Sequence, residues 1–154
     1  LHRVDHATAV VFLDLDDELL APRFRSAEEA LALIVRAARI VGPRAGGGRV
    51  VLQTLQPRHE VVQAALHADP ARLVAPERER RRVLGLPPER ALAAVSGTAT
   101  GGWLHPLPPG LEVAGPSNGV WLVRAENWSV LADGLAALGP RPRGVRVVVD
   151  PHRV

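Results

Sequence analysis

The chain has 154 residues, 47% of them hydrophobic, which excludes disorder throughout and allows one domain or two small ones. It has no cysteine, which excludes disulfides and thiolate metal sites, and its 3% aromatic content leaves the core to Val, Leu, Ala and Ile. All 19 basic residues are arginine against 16 carboxylates, so the net charge is a modest +3, which permits nucleic-acid binding without requiring it.

In chain order, His2 to His6 is polar and short, and Ala7 to Leu15 reads as a buried strand followed by Asp14, Asp16 and Asp17 at its end. Leu19 to Arg25 is a loop carrying Pro22. Ser26, with Glu29 three residues on, has the form of a capping box. From there Ala27, Ala30, Leu31, Ile34, Ala38 and Val41 recur at helical spacing on one face. Gly42-Pro43 ends that helix, because proline has no N–H to continue it. Gly46-Gly47-Gly48 is a hinge into the apolar strand Val50, Val51 and Leu52. Strand, helix and strand in that order predict a crossover and a parallel pair. Pro57-Arg58-His59 is a turn, and Glu60 to Ala68 a short helix burying Val61, Val62, Ala65 and Leu66. Asp69-Pro70 reads as an N-cap with proline at the first helical position. The next helix runs through Arg78, Arg80, Arg81 and Arg82 to Leu84, restarted or kinked at Pro76, and Pro87-Pro88 closes this half.

The second half predicts a strand at Ala91 to Val95, then a linker or long loop at Gly97 to Gly110. Short strands follow at Leu111 to Ala114 and Val120 to Arg124, around the turn Gly115 to Gly119. Ser129 to Leu138 is a helix with Val130, Leu131, Leu135 and Leu138 inward, and Val145 to Val149 is a last strand. No apolar run approaches the ~20 residues of a membrane span, and no signal-peptide pattern opens the chain. A cytoplasmic protein without membrane contact is therefore expected.

Few residues suggest chemistry. Phe12-Leu13-Asp14-Leu15-Asp16 resembles the first motif of haloacid-dehalogenase-type phosphatases, in which two strand-end aspartates serve as nucleophile and acid/base around Mg²⁺. Glu18 stands where that family has threonine, and the chain has no lysine to complete the site, so solvated strand-end carboxylates are the simpler reading. Gly46-Gly47-Gly48 is not a phosphate loop, because no Lys-Ser/Thr follows and a strand comes next. The six histidines show no ligand spacing, and Ser96 and Ser117 have no nucleophile context, so no cofactor and no metal are expected. The densest charge cluster is Arg78-Glu79-Arg80-Arg81-Arg82, with Glu77 and Arg81 four apart in the favourable order. It is either a solvated helix face or a patch that contacts phosphates. In the second case Arg78, Arg81 and Arg82 share a face and are the expected DNA-binding residues.

Val10 to Pro88 also resembles the end of the second helicase lobe of the PriA family of replication-restart helicases, primosomal protein N′. The residues that carry the resemblance are Leu13-Asp14-x-Asp16, Phe24-Arg25-Ser26-Ala27-Glu28, Gly48 to Thr54, Pro57-x-His59, Gln63, Leu66, Glu77-x-x-x-Arg81 and Leu86-Pro87-Pro88. Beyond Pro88, Ala114-Gly115-Pro116 and Val147 to Pro151 resemble landmarks of the family's C-terminal domain. The helix usual between that domain's first two strands is shortened to Thr98–Pro109. At the family's arginine-finger motif the chain reads Arg36 to Pro43, with Ile40 and Pro43 at the two finger positions. Apolar side chains cannot stabilise a transferring phosphoryl group. The resemblance is therefore to degenerate, actinobacterial-type members, which are thought to lack helicase activity.

The resemblance implies an α/β fold: a partial RecA-like lobe with parallel strands over residues 1–88, then a small α+β module over 89–154. It implies a DNA-binding, protein-docking part of a primosomal protein that is not an enzyme on its own. Its implied partners are forked or single-stranded DNA, the single-stranded-DNA-binding protein and other primosome proteins. A small phosphatase using Asp14 and Asp16 is the alternative from a different class.

Overall fold

In the computed structural model residues 7–152 are described, and the chain divides into two compact units, one up to Arg78 and one from Glu79. The opening segment His2–His6 lies outside the described residues.

The first unit is built on the expected crossover. Strand β1 (Ala9–Phe12) leads into the short helix α1 (Asp16–Leu19) and the long helix α2 (Ser26–Val41). A 3-10 turn at Arg44–Gly46 then leads into strand β2 (Arg49–Leu52), which pairs parallel with β1 from Ala9↔Arg49 to Phe12↔Leu52. Both strands are shorter than the apolar runs suggest. Burial alternates along each, so Val10, Phe12, Val50 and Leu52 turn to the core while Val11 and Val51 stay about half exposed. This is the period of a pleated strand covered on one face. Each strand keeps one unpaired edge among the described residues.

Helix α2 buries Ala27, Ala30, Ile34 and Ala37. Small residues there let the helix lie close to the strands. The buried stripe passes through Ala37, and Ala38 is exposed, because the helix takes the three-residue step at that turn. The capping box does not form. Arg25 is the N-cap without a side-chain bond, Ser26 lies inside the first turn, and Glu29 pairs instead with Arg23 at 3.4 Å. Helix α3 (Glu60–Leu66) is capped by His59, whose Nδ1 accepts from Val61 N at 3.2 Å. Val61, Val62 and Ala64 are buried, whereas Leu66 is 68% exposed. Leu15, wholly buried, sits at the centre of this core with Leu19, Ile34 and Leu73.

Helix α4 (Ala71–Leu84) starts as expected, with Asp69 Oδ1 accepting from Ala71 N at 3.1 Å. It runs unbroken through Pro76, which costs the Arg72 carbonyl its usual helical donor.

The second unit is an antiparallel sheet in the order β4-β5-β3-β6. Its strands are β3 (Ala91–Ser96), β4 (Leu111–Ser117), β5 (Val120–Ala125) and β6 (Arg146–Val149). The Gly/Pro-rich stretch after β3 is not a linker. It holds the helical turn α5 (Thr100–Trp103), and both Thr100 and Leu104 are buried. Helix α6 (Trp128–Ala137) is capped by Asn127, which accepts from Val130 N at 3.0 Å. It buries Leu131 against the sheet, with Val130, Leu135 and Leu138 packed around it. The fold is thus mixed α/β, with a two-stranded parallel sheet and a four-stranded antiparallel one.

Candidate nucleic-acid interface

The arginine helix α4 does not present its three expected residues alike. Arg81 is only 6% exposed, and its Nη1 donates to the Pro87 carbonyl at 3.2 Å. Glu77 is also buried, at 5%. A fully solvated helix face is therefore excluded at these two positions. Arg81 ties the last turn of the helix to the segment that follows it, and Arg81 and Pro87 both belong to the second unit. Arg82 lies outside and holds Glu79 in a two-pronged pair at 2.9 and 2.7 Å. That pair pulls the Glu79 carboxyl below its usual range, first through the hydrogen bonds and then through the charge of Arg82. Arg78 is exposed one turn before Arg82. Arg78 and Arg82 are thus both exposed, and Arg81 is not.

The two positions expected for the arginine finger lie at the end of α2 and in the turn after it. Ile40 is 54% exposed in the last turn of α2, and Pro43 is exposed beyond it. Gly42, with φ +75, reverses the chain. Gly46 N and Gly48 N both donate to the Pro43 carbonyl, at 3.0 and 3.3 Å. Gly48 lies so close to Gly42 that a Cβ there would stand 2.4 Å from the Gly42 carbonyl oxygen. The loop is therefore closed on itself, and Arg49 opens β2 directly beside the end of α2. The nearby groove of about 440 Å³ is apolar, lined by Leu31, Val35, Ala38, Pro43 and Ala68, with Arg39 its one charged side chain. It offers no set of phosphate donors.

The two aspartates of the phosphatase-like motif also part company. Asp14 is exposed. Asp16 reaches across to the end of β2, where Thr54 Oγ1 donates to its Oδ1 and Leu55 N to its Oδ2, the latter at 2.8 Å. Thr54 Oγ1 in turn accepts from Gln56 N at 2.9 Å. Asp16 is thus a staple between the ends of two parallel strands, with both oxygens engaged by one donor each. The Thr54 bond first, and then the Leu55 bond, hold its carboxyl below the usual carboxylate range. Among the described residues no three His, Asp or Glu side chains gather as a metal site requires.

A depressed folded-state pKa stabilises the fold above the unfolded carboxylate range and loses that effect as pH falls through the folded value. Asp16→Asn is therefore expected to destabilise the first unit at neutral pH. Its deficit relative to the unsubstituted protein should shrink as acid protonates Asp16. Urea midpoints measured from neutral to strongly acid pH check this, and a deficit that grows in acid would contradict it.

Comparison with known proteins places a similar region in two replication restart proteins PriA. The chain is 32% identical to the one from Thermotoga maritima over 87 residues, 56% of this chain and 12% of that protein. It is 37% identical to the one from Treponema pallidum over 73 residues, 47% of this chain and 11% of that protein. The matches thus span about an eighth or less of the length of these relatives, and they mark a PriA-related region. No family model matches the chain.

Proposed function

We propose that this chain is the DNA-binding, protein-docking part of a replication-restart protein and that it has no ATP chemistry of its own. The observation that carries this reading is the likeness to two replication restart proteins over about half of the chain. The first unit is then the end of a degenerate, actinobacterial-type RecA-like lobe, and the second is a docking module. The partners are forked or single-stranded DNA, the single-stranded-DNA-binding protein and other primosome proteins, met in the cytoplasm. The exposed arginines Arg78 and Arg82 of α4 contact phosphates, for which the planar guanidinium fork is suited. Arg81 fixes the end of their helix. Arg82 leaves Glu79 when it binds DNA, an exchange of one exposed ion pair for another that costs little.

Side-chain chemistry supports the proposed absence of ATP turnover. Ile40 and Pro43 have no charge to place on a phosphoryl group, and the chain has no lysine for a phosphate cradle. The phosphatase alternative is disfavoured by Asp16, whose oxygens are engaged by Thr54 and Leu55. In one assay with fluorescein-labelled forked DNA and ATP, salt-sensitive DNA binding with phosphate release at background is expected. DNA-stimulated turnover lost in Arg39→Ala would overturn the ATP half of the proposal. Hydrolysis of p-nitrophenyl phosphate abolished by Asp14→Asn would replace it with the phosphatase.

A further inference from the structure

We infer that the main phosphate-contacting surface is not the arginine-rich helix α4 but the end of the first unit where α2 turns into β2, with Arg36, Arg39, Arg44 and Arg49 as its cations. This rests on the DNA-binding reading above and gives it a second site.

The two surfaces differ in what surrounds the arginines. Residues 69–89 hold five arginines among the four carboxylates Asp69, Glu77, Glu79 and Glu89. Arg72 pairs with Asp69, and Arg82 with Glu79. Residues 30–59 also hold five arginines, but no carboxylate at all. Arg36, Arg39, Arg44 and Arg49 are all exposed, and among the described residues none has an ion pair or a side-chain hydrogen bond. The fifth, Arg58, sits beyond the far end of β2.

The topology separates the charges of this unit. Asp14, Asp16, Asp17 and Glu18 follow β1 at the C-terminal edge of the strand pair, and Glu28 and Glu29 begin α2 at that same edge. Helix α2 then carries the chain back, so its last two turns bring Arg36 and Arg39 to the opposite edge. Arg44 follows in the 3-10 turn. Arg49 is the first residue of β2, brought against the end of α2 by the closed loop over residues 42–48. Among the described residues, one end of the unit is therefore acidic and the other carries four cations with no carboxylate among them.

A simpler role explains only part of this. A cation in the last turn of a helix offsets the partial negative charge of its terminal carbonyls, which accounts for Arg39. It does not account for Arg44 and Arg49, which lie beyond the helix. Unpaired like charges at one end of the unit repel one another, and a polyanion relieves that repulsion. Four exposed guanidinium forks at one end of the unit suit the phosphates of a nucleic-acid backbone, which gives affinity without base preference.

The test compares binding of labelled forked DNA by the full chain and by three variants, at about 100 mM salt. Arg44→Ala/Arg49→Ala should lose about tenfold in affinity, and Arg44→Lys/Arg49→Lys should stay within about threefold, since the charge is kept. Arg78→Ala/Arg82→Ala should lose less than the first pair. Both sites of the first pair are exposed, and far-UV circular dichroism verifies that folding is unchanged. Binding by the unsubstituted protein that is unaffected by Arg44→Ala/Arg49→Ala overturns this inference and leaves the DNA reading standing. Absence of DNA binding by the unsubstituted protein overturns both. Polyglutamate that displaces the DNA at equal charge concentration also overturns it, in favour of an acidic protein partner.

Discussion

Gly97→Ala is expected to cost the second unit more than about 4 kcal/mol, or to prevent it from folding. Two causes act together. Gly97 has φ +124, a region that L side chains rarely occupy. A Cβ there would also lie 2.2 Å from the Gly144 carbonyl oxygen and 3.1 Å from Val145 Cα. Those are backbone atoms next to Val145, a core residue only 2% exposed, so no side chain can swing aside to relieve the clash. Gly119→Ala separates the two causes. Gly119 also has positive φ, +76, but nothing lies within 4 Å of its added Cβ. It should cost only about 1 kcal/mol, the strain alone. Trp103, Trp121 and Trp128 are the chain's three tryptophans and all belong to the second unit, so fluorescence-monitored urea unfolding reports on it directly. Equal midpoints for the two variants would show that the contact with Gly144 is dispensable.

Leu15→Ala is expected to destabilise the first unit by about 2–5 kcal/mol, the range for emptying a fully buried leucine site. Leu15 has no exposed surface. Its backbone also joins elements: its N–H donates to Gln53 O at 3.2 Å, and its carbonyl accepts from Glu18 N and Leu19 N. A cavity at that junction cannot close without moving β1 or α1, which places the cost toward the upper part of the range. The neighbour Leu13 is 72% exposed, and Leu13→Ala should change stability by less than about 0.5 kcal/mol. The first unit has no tryptophan, so hydrogen exchange of the α2 amides Ala30 to Ile34 is the suitable readout. Unchanged protection in Leu15→Ala would contradict the packing described for this core.

The parts of the fold that sequence made legible are those set by local periodicity. The Ala/Ile stripe of α2, the two apolar strands joined by a crossover, and the Asp69 cap of α4 depend on spacing within a few residues. The capping box at Ser26 and Glu29 does not form because the helix starts one residue earlier, with Arg25 as its N-cap, and Glu29 pairs with Arg23 from outside the helix. The stretch after β3 looked like a linker because Gly and Pro dominate it. What places it in the core is Gly97 against Gly144, two residues 47 positions apart in the sequence.

The candidate site was legible in its residue type and less so in its place. Arg78 to Arg82 stand out in a window of five residues, but a window cannot show that Arg81 is buried or that Arg82 holds Glu79. Arg36, Arg39, Arg44 and Arg49 are spaced along helix, turn and strand and form no run. Their one sequence signal is the absence of any acidic residue from 30 to 59, which local charge clustering does not register.

The salt dependence of forked-DNA binding tests the central claim most directly. If four arginines at the α2–β2 end each displace one condensed counterion from the duplex arm, log K against log salt should fall with a slope of about −4. Affinity should not depend on base sequence, because phosphate contacts carry no base information. No binding at low salt, or binding whose affinity does not change with salt, would contradict a phosphate-contacting role for this chain.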